Sequence, residues 1–77
     1  MPAKRPYPRV SDIEEAIIAV LSENLLIHPG DLPSAVREKL EERGFCTIHV
    51  NTKRIWRVYE SAVKAGRMPD YLDVVRG

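Results

Sequence analysis

Residues 51–66, NTKRIWRVYESAVKAG, hold the side chains best suited to grip a ligand. Projected at about 100° per residue, Ile55, Val58, Tyr59 and Ala62 share one face of a helix. Lys53, Arg57 and Lys64 lie almost opposite, with Arg54 at the flank. A helix that is apolar along one stripe and cationic along the other suits a protein that lays it on a polyanion. Double-stranded DNA is the obvious one, since its major groove admits a single α-helix. In that reading Asn51, Thr52, Lys53, Arg54 and Arg57 do the work: Arg pairs with guanine, Asn with adenine, and Lys or Thr with bases or phosphates. The competing reading is a solvated face, in which Glu60 pairs with Arg57 and Lys64 at helical spacing.

Other candidate chemistry is thin. Cys46 and His49 have the spacing of half a zinc site, but a structural tetrahedral site needs four ligands and His28 is the only other histidine. A site shared across a dimer is the remaining alternative, but Cys46 reads better as a small buried hydrophobe and His49 as a loop residue. No metal and no cofactor is expected. The glycines at 30, 44, 66 and 77 are spread as turn punctuation, not gathered into a phosphate-cradling loop. Ser11 and Ser34 sit at helix starts with no evident base beside them, so an enzyme is not expected. Tyr59 belongs to the apolar stripe. Trp56 sits at its edge, where core packing and stacking on single-stranded bases both fit.

The chain that must position these groups has 77 residues, one small domain, with little material for a deep catalytic cleft. No apolar run is long enough to span a bilayer, and no hydrophobic signal-peptide core follows the basic N-terminus. A single cysteine rules out an internal disulfide. The expectation is an intracellular, cytoplasmic protein. The absence of glutamine beside many charged residues points towards a thermophilic source. The formal net charge of +1 conceals segregation: Lys4, Arg5 and Arg9 make residues 1–10 basic, whereas Asp12, Glu14, Glu15 and Glu23 make residues 11–24 acidic. Residues 45–66 are basic again, and such local fields steer a partner whatever the total.

Residues 1–10 contain Pro2, Pro6 and Pro8 between the basic residues and read as an extended arm. The arm either places Lys4, Arg5 and Arg9 on phosphates or a groove, or is a solvated terminus. A first helix is expected from Ser11, with a Ser11–Glu14 capping box and Ile13, Ala16, Ile17, Val20 and Leu21 buried, fading near Asn24. Its acidic first turn would face away from DNA. Leu25-Leu26-Ile27 has the makings of a short strand, and His28-Pro29-Gly30 breaks the chain. Asp31 is the expected cap of a second helix that tolerates Pro33 in its first turn and buries Leu32, Val36 and Leu40. Gly44 should end it in left-handed geometry, with Phe45 packing back. After an irregular stretch to Val50, Asn51 caps the third helix and Gly66 closes it. The tail RMPDYLDVVRG fits a short hairpin turning at Pro69-Asp70 or a brief helix equally well.

The segments LPSAVREKLEERG and TKRIWRVYESAVKAGRM, in this order behind an amphipathic first helix, resemble the second and third helices of winged helix-turn-helix domains of bacterial and archaeal regulators. The matching residues are Thr52, Arg54 or Arg57, then Ala65, Gly66 and Met68, and the resemblance covers residue 11 to about residue 72. It implies a mainly α fold over residues 11–77, a three-helix winged helix-turn-helix with a short or truncated wing. It further implies a transcriptional regulator that reads duplex DNA with residues 51–65, Lys64 included, often as a homodimer on two half-sites. The connection from Gly44 to Asn51 is longer than the tight turn of a simple helix-turn-helix. No small-molecule ligand or membrane partner is implied. The rival readings are a winged-helix adaptor that binds protein in a larger assembly, and a binder of single-stranded nucleic acid or RNA.

Overall fold

The computed structural model describes residues 5–70 and residue 72. The described chain is mainly helical: α1 (Val10–Glu23), a single 3-10 turn (Pro29–Asp31), α2 (Leu32–Glu42) and α3 (Thr52–Lys64). Each helix buries one stripe. Ile13, Ala16, Ile17, Val20 and Leu21 of α1 meet Leu32, Val36 and Leu40 of α2 and Ile55, Val58, Tyr59 and Ala62 of α3 in one core. Val50 and Met68 also belong to it, so the segments before and after α3 are anchored by apolar contacts. Among the described residues no strand occurs, and no helix is long and apolar enough to cross a membrane.

Both expected glycine stops are present. Gly44 has φ +88°, the Phe45 N–H donates to the Leu40 carbonyl (2.9 Å) and the Gly44 N–H to the Glu41 carbonyl (3.0 Å). Gly66 repeats the pattern at φ +77°, with Arg67 N–H donating to Ala62 (2.9 Å) and Gly66 N–H to Val63 (3.0 Å). These paired bonds satisfy carbonyls that each helix end would otherwise leave open.

Three local expectations are corrected. The first helix starts at Val10, not Ser11, and Arg9 is its cap residue. The Asp12 carboxylate accepts from the Arg9 N–H at 2.9 Å, so Asp12 holds the position assigned to Glu14. Pro8 is buried and extended immediately before the cap, and the cap lies two residues earlier, at Arg9 in place of Ser11. Leu25-Leu26-Ile27 is a turn and not a strand. Ile27 N–H bonds back to the Asn24 carbonyl (3.2 Å), and no described strand lies alongside to complete a ladder. Asp31 does not cap α2 with its side chain; it ends the 3-10 turn in helical geometry. His28 starts that turn instead, its Nδ1 accepting from Gly30 N–H at 3.0 Å. Of the tail, Met68 is buried, while residue 71 and residues 73–77 lie outside the described residues, and the hairpin or helix assigned to them lies there too.

Ion pairs staple the helices from outside. Lys39 Nζ donates to Glu23 Oε2 at 2.8 Å across α1 and α2, and that hydrogen bond raises the lysine pKa above its ordinary value. Arg67 Nε donates to Glu14 Oε1 at 2.6 Å, tying the chain after α3 to the first turns of α1.

Candidate nucleic-acid interface

The strong amphipathicity of α3 orients it. With Ile55, Val58, Tyr59 and Ala62 buried, Lys53, Arg57, Glu60 and Lys64 must project outward. Asn51 caps the helix as expected, its Oδ1 accepting from Arg54 N–H at 2.8 Å. That bond occupies part of the amide a bidentate contact with adenine would use. Thr52 is exposed in the first turn.

The cations of α3 fall into three environments. Lys53 and Arg57 are exposed one turn apart, and neither forms an ion pair with any described residue. Lys64 pairs with Glu60 at 2.9 Å, an i,i+4 pair that neutralises the C-terminal part of the face. Glu60 was a candidate partner for Arg57 as well, but its carboxylate turns to Lys64 alone. Arg54 is half-buried and its Nη2 donates to the Pro8 carbonyl at 3.4 Å. The open positive charge on this helix therefore centres on Lys53 and Arg57. A shallow groove lined by Lys53, Trp56, Arg57, Glu60, Ser61 and Lys64 runs along the same face. Trp56 is half-buried and meets Tyr59 edge-on, with ring centroids 5.5 Å apart and planes at 81°. That contact fixes the indole at the border of the core.

No protein-family model matches this chain, and no curated protein or solved structure matches it either.

Sequence reasoning missed one part of it. Residues 5–9 are neither free nor simply solvated. They form a strap across the connection between α2 and α3. The Pro6 carbonyl accepts from Cys46 N–H at 2.8 Å, Pro8 is buried, and the Tyr7 ring lies 5.1 Å from the His49 ring. Arg5 and Arg9 ride on this strap with exposed side chains, while Lys4 lies outside the described residues. The available signal was the apolar content of the arm, Tyr7 and Pro8, among its basic residues. Cys46 is half-buried and unpaired by any disulfide. His49 is exposed, and no group of three or more His, Cys, Asp or Glu side chains among the described residues could hold a metal ion.

Tyr59, assigned to the core, is fully buried yet polar in its use. Its hydroxyl donates to Asp70 Oδ1 and accepts from the Leu72 N–H at 3.1 Å. This phenol therefore fixes the start of the chain that follows α3. A buried Tyr needs such partners, because an unbonded hydroxyl would lose its hydration without compensation.

Proposed function

We propose that this protein is a DNA-binding module, not an enzyme, that lays the N-terminal half of α3 in the major groove of double-stranded DNA and serves as a transcriptional regulator in the cytoplasm. The observation that carries this reading is the pair Lys53 and Arg57, exposed, one helical turn apart and without ion-pair partners among the described residues, opposite a fully buried stripe. A cation left unpaired on a rigid helix retains its charge for phosphates or base edges. The order of α1, α2 and α3 fits a winged helix-turn-helix whose wing would follow Met68. Asn51, Thr52 and Arg54 border the same end of α3, and the strap adds Arg5 and Arg9, with Lys4 just before them. Lys64 joins only when Glu60 releases it. A module of this size contacts few base pairs, so specific recognition would use a homodimer on two half-sites.

A second reading is an adaptor that binds an acidic protein, and the acidic α1 with its exposed Glu15 and Glu23 favours it. Titrating labelled duplex with the full chain at several salt concentrations separates the two. If α3 and the strap neutralise ~4–6 phosphates, log affinity should fall against log salt with a slope of about −4 to −5. Absence of duplex binding at low salt would overturn the DNA reading in favour of the adaptor.

A further inference from the structure

The strap presents aromatic and apolar surface that the core does not use. Tyr7 is 60% exposed and Ile48 75% exposed, and Ile48 directly precedes the exposed His49, whose ring lies 5.1 Å from that of Tyr7. These side chains do not hang on a loose terminus. Pro6 O and Cys46 N–H bind the strap to the α2–α3 connection, and buried Pro8 and the Arg54 guanidinium hold its other end. The ring pair is thus pre-positioned, and a ligand that stacks on it has little further ordering entropy to offset. Exposed Arg5 and Arg9 flank Tyr7 in sequence, and only Val50 and Asn51 separate His49 from the first residue of α3. Two exposed planar rings, 5.1 Å apart and tilted at 45°, with an arginine two residues to either side of Tyr7, suit a nucleobase, which offers a π face to one ring and an edge to the other, on a backbone that offers phosphate charge. Bases inside a duplex are already stacked and cannot reach such a platform. An unpaired base can.

We propose that Tyr7 and His49 form a second nucleic-acid site that stacks an unpaired base, so that the protein prefers a junction between single and double strand over a continuous duplex. The inference rests on the duplex reading of α3, because the platform lies beside the helix that would grip the paired region. Ile48 would shield the stacked base from water, and Arg5 and Arg9, which the duplex reading also uses, would carry phosphate contact across the junction onto the departing strand. Trp56 is less suited to this role, since one edge of its environment is already filled by Tyr59.

The test compares the full chain on a blunt duplex, on the same duplex with a short 5′ or 3′ single-stranded overhang, and on the single strand alone. The overhang carries 2-aminopurine next to the junction, and anisotropy and 2-aminopurine fluorescence are both read. Stacking of one base should tighten binding to one overhang polarity by roughly 5- to 100-fold over the blunt duplex and quench the probe. Tyr7→Leu should abolish both gains while lowering blunt-duplex affinity far less than it lowers affinity for the overhang, whereas Tyr7→Phe should keep them. His49→Ala should reduce the quench. Trp56 fluorescence and circular dichroism of each variant verify that the strap change leaves the helices folded. Blunt duplex bound as tightly as both overhang substrates, or a quench indifferent to Tyr7→Leu, overturns the stacking site and leaves the α3 reading standing. Tyr7-dependent binding to single strand without any duplex binding supports the stacking site and overturns the reading of α3. Binding to none of the three overturns both.

Discussion

The two ends of α3 use positive charge in opposite ways. At the C-terminal end Lys64 is paired with Glu60, and just beyond it Arg67 is paired with Glu14. Tyr59 adds hydrogen bonds to Asp70 and Leu72. At the N-terminal end Lys53 and Arg57 have no ion-pair partner among the described residues, and Arg54 bonds a backbone carbonyl that leaves its charge unneutralised. Charge at one end is paired within the protein. At the other it stays available to a polyanion. A charged face is therefore informative only once its ion pairs are known, because a neighbouring carboxylate offsets part of a paired cation's field.

The largest expected effect breaks the scaffold common to both ends. Ile55→Ala empties a fully buried position beneath the open cations and should cost about 2–5 kcal/mol in urea unfolding. A loss well under 1 kcal/mol would mean that this stripe is not the anchor of α3. Next comes the charge itself. The double variant Lys53→Ala/Arg57→Ala should weaken duplex binding by about tenfold or more at low salt and flatten the salt slope by ~2. Lys64→Ala/Arg67→Ala should change affinity far less, and equal losses for the two doubles would erase the distinction between the ends. Tyr59→Phe then probes the C-terminal end alone. It should lower stability by about 1–2 kcal/mol while duplex affinity of the folded protein is unchanged. A shift in affinity larger than in stability would couple the chain after α3 to binding. The smallest effect sharpens the comparison. Glu60→Gln frees Lys64, so low-salt affinity should rise by about twofold, an increase that disappears at high salt. No rise would place Lys64 outside the contact surface.

How much of this was legible beforehand follows from the range of each interaction. Asn51 as a cap and Gly44 and Gly66 as stops depend on backbone geometry within a few residues, and they stand where sequence placed them. The three buried stripes were equally readable, because helical periodicity repeats the same demand along each segment. The start of α1 was not. Ser11 and Glu14 satisfy the local pattern for a capping box, but the cap lies at Arg9, just after buried Pro8, and Glu14 is taken by Arg67. His28 was passed over as a chain breaker, since a histidine accepting from a backbone N–H two residues on is a rarer cap than the Asp nearby.

The amino-acid sequence by itself determined that three amphipathic segments would form, where α2 and α3 would stop, and which face of α3 would be cationic. Those properties arise from periodicity and backbone preference, which act between near neighbours. Tertiary structure decided which cations remain open and what becomes of the arm. Arg67 meets Glu14 and Arg54 meets Pro8 across most of the chain length. Glu60 could reach Arg57 or Lys64 by spacing alone, and the packed helix presents it to Lys64. Charge is a property of the residue, whereas its availability depends on which distant groups the fold brings within a few ångströms.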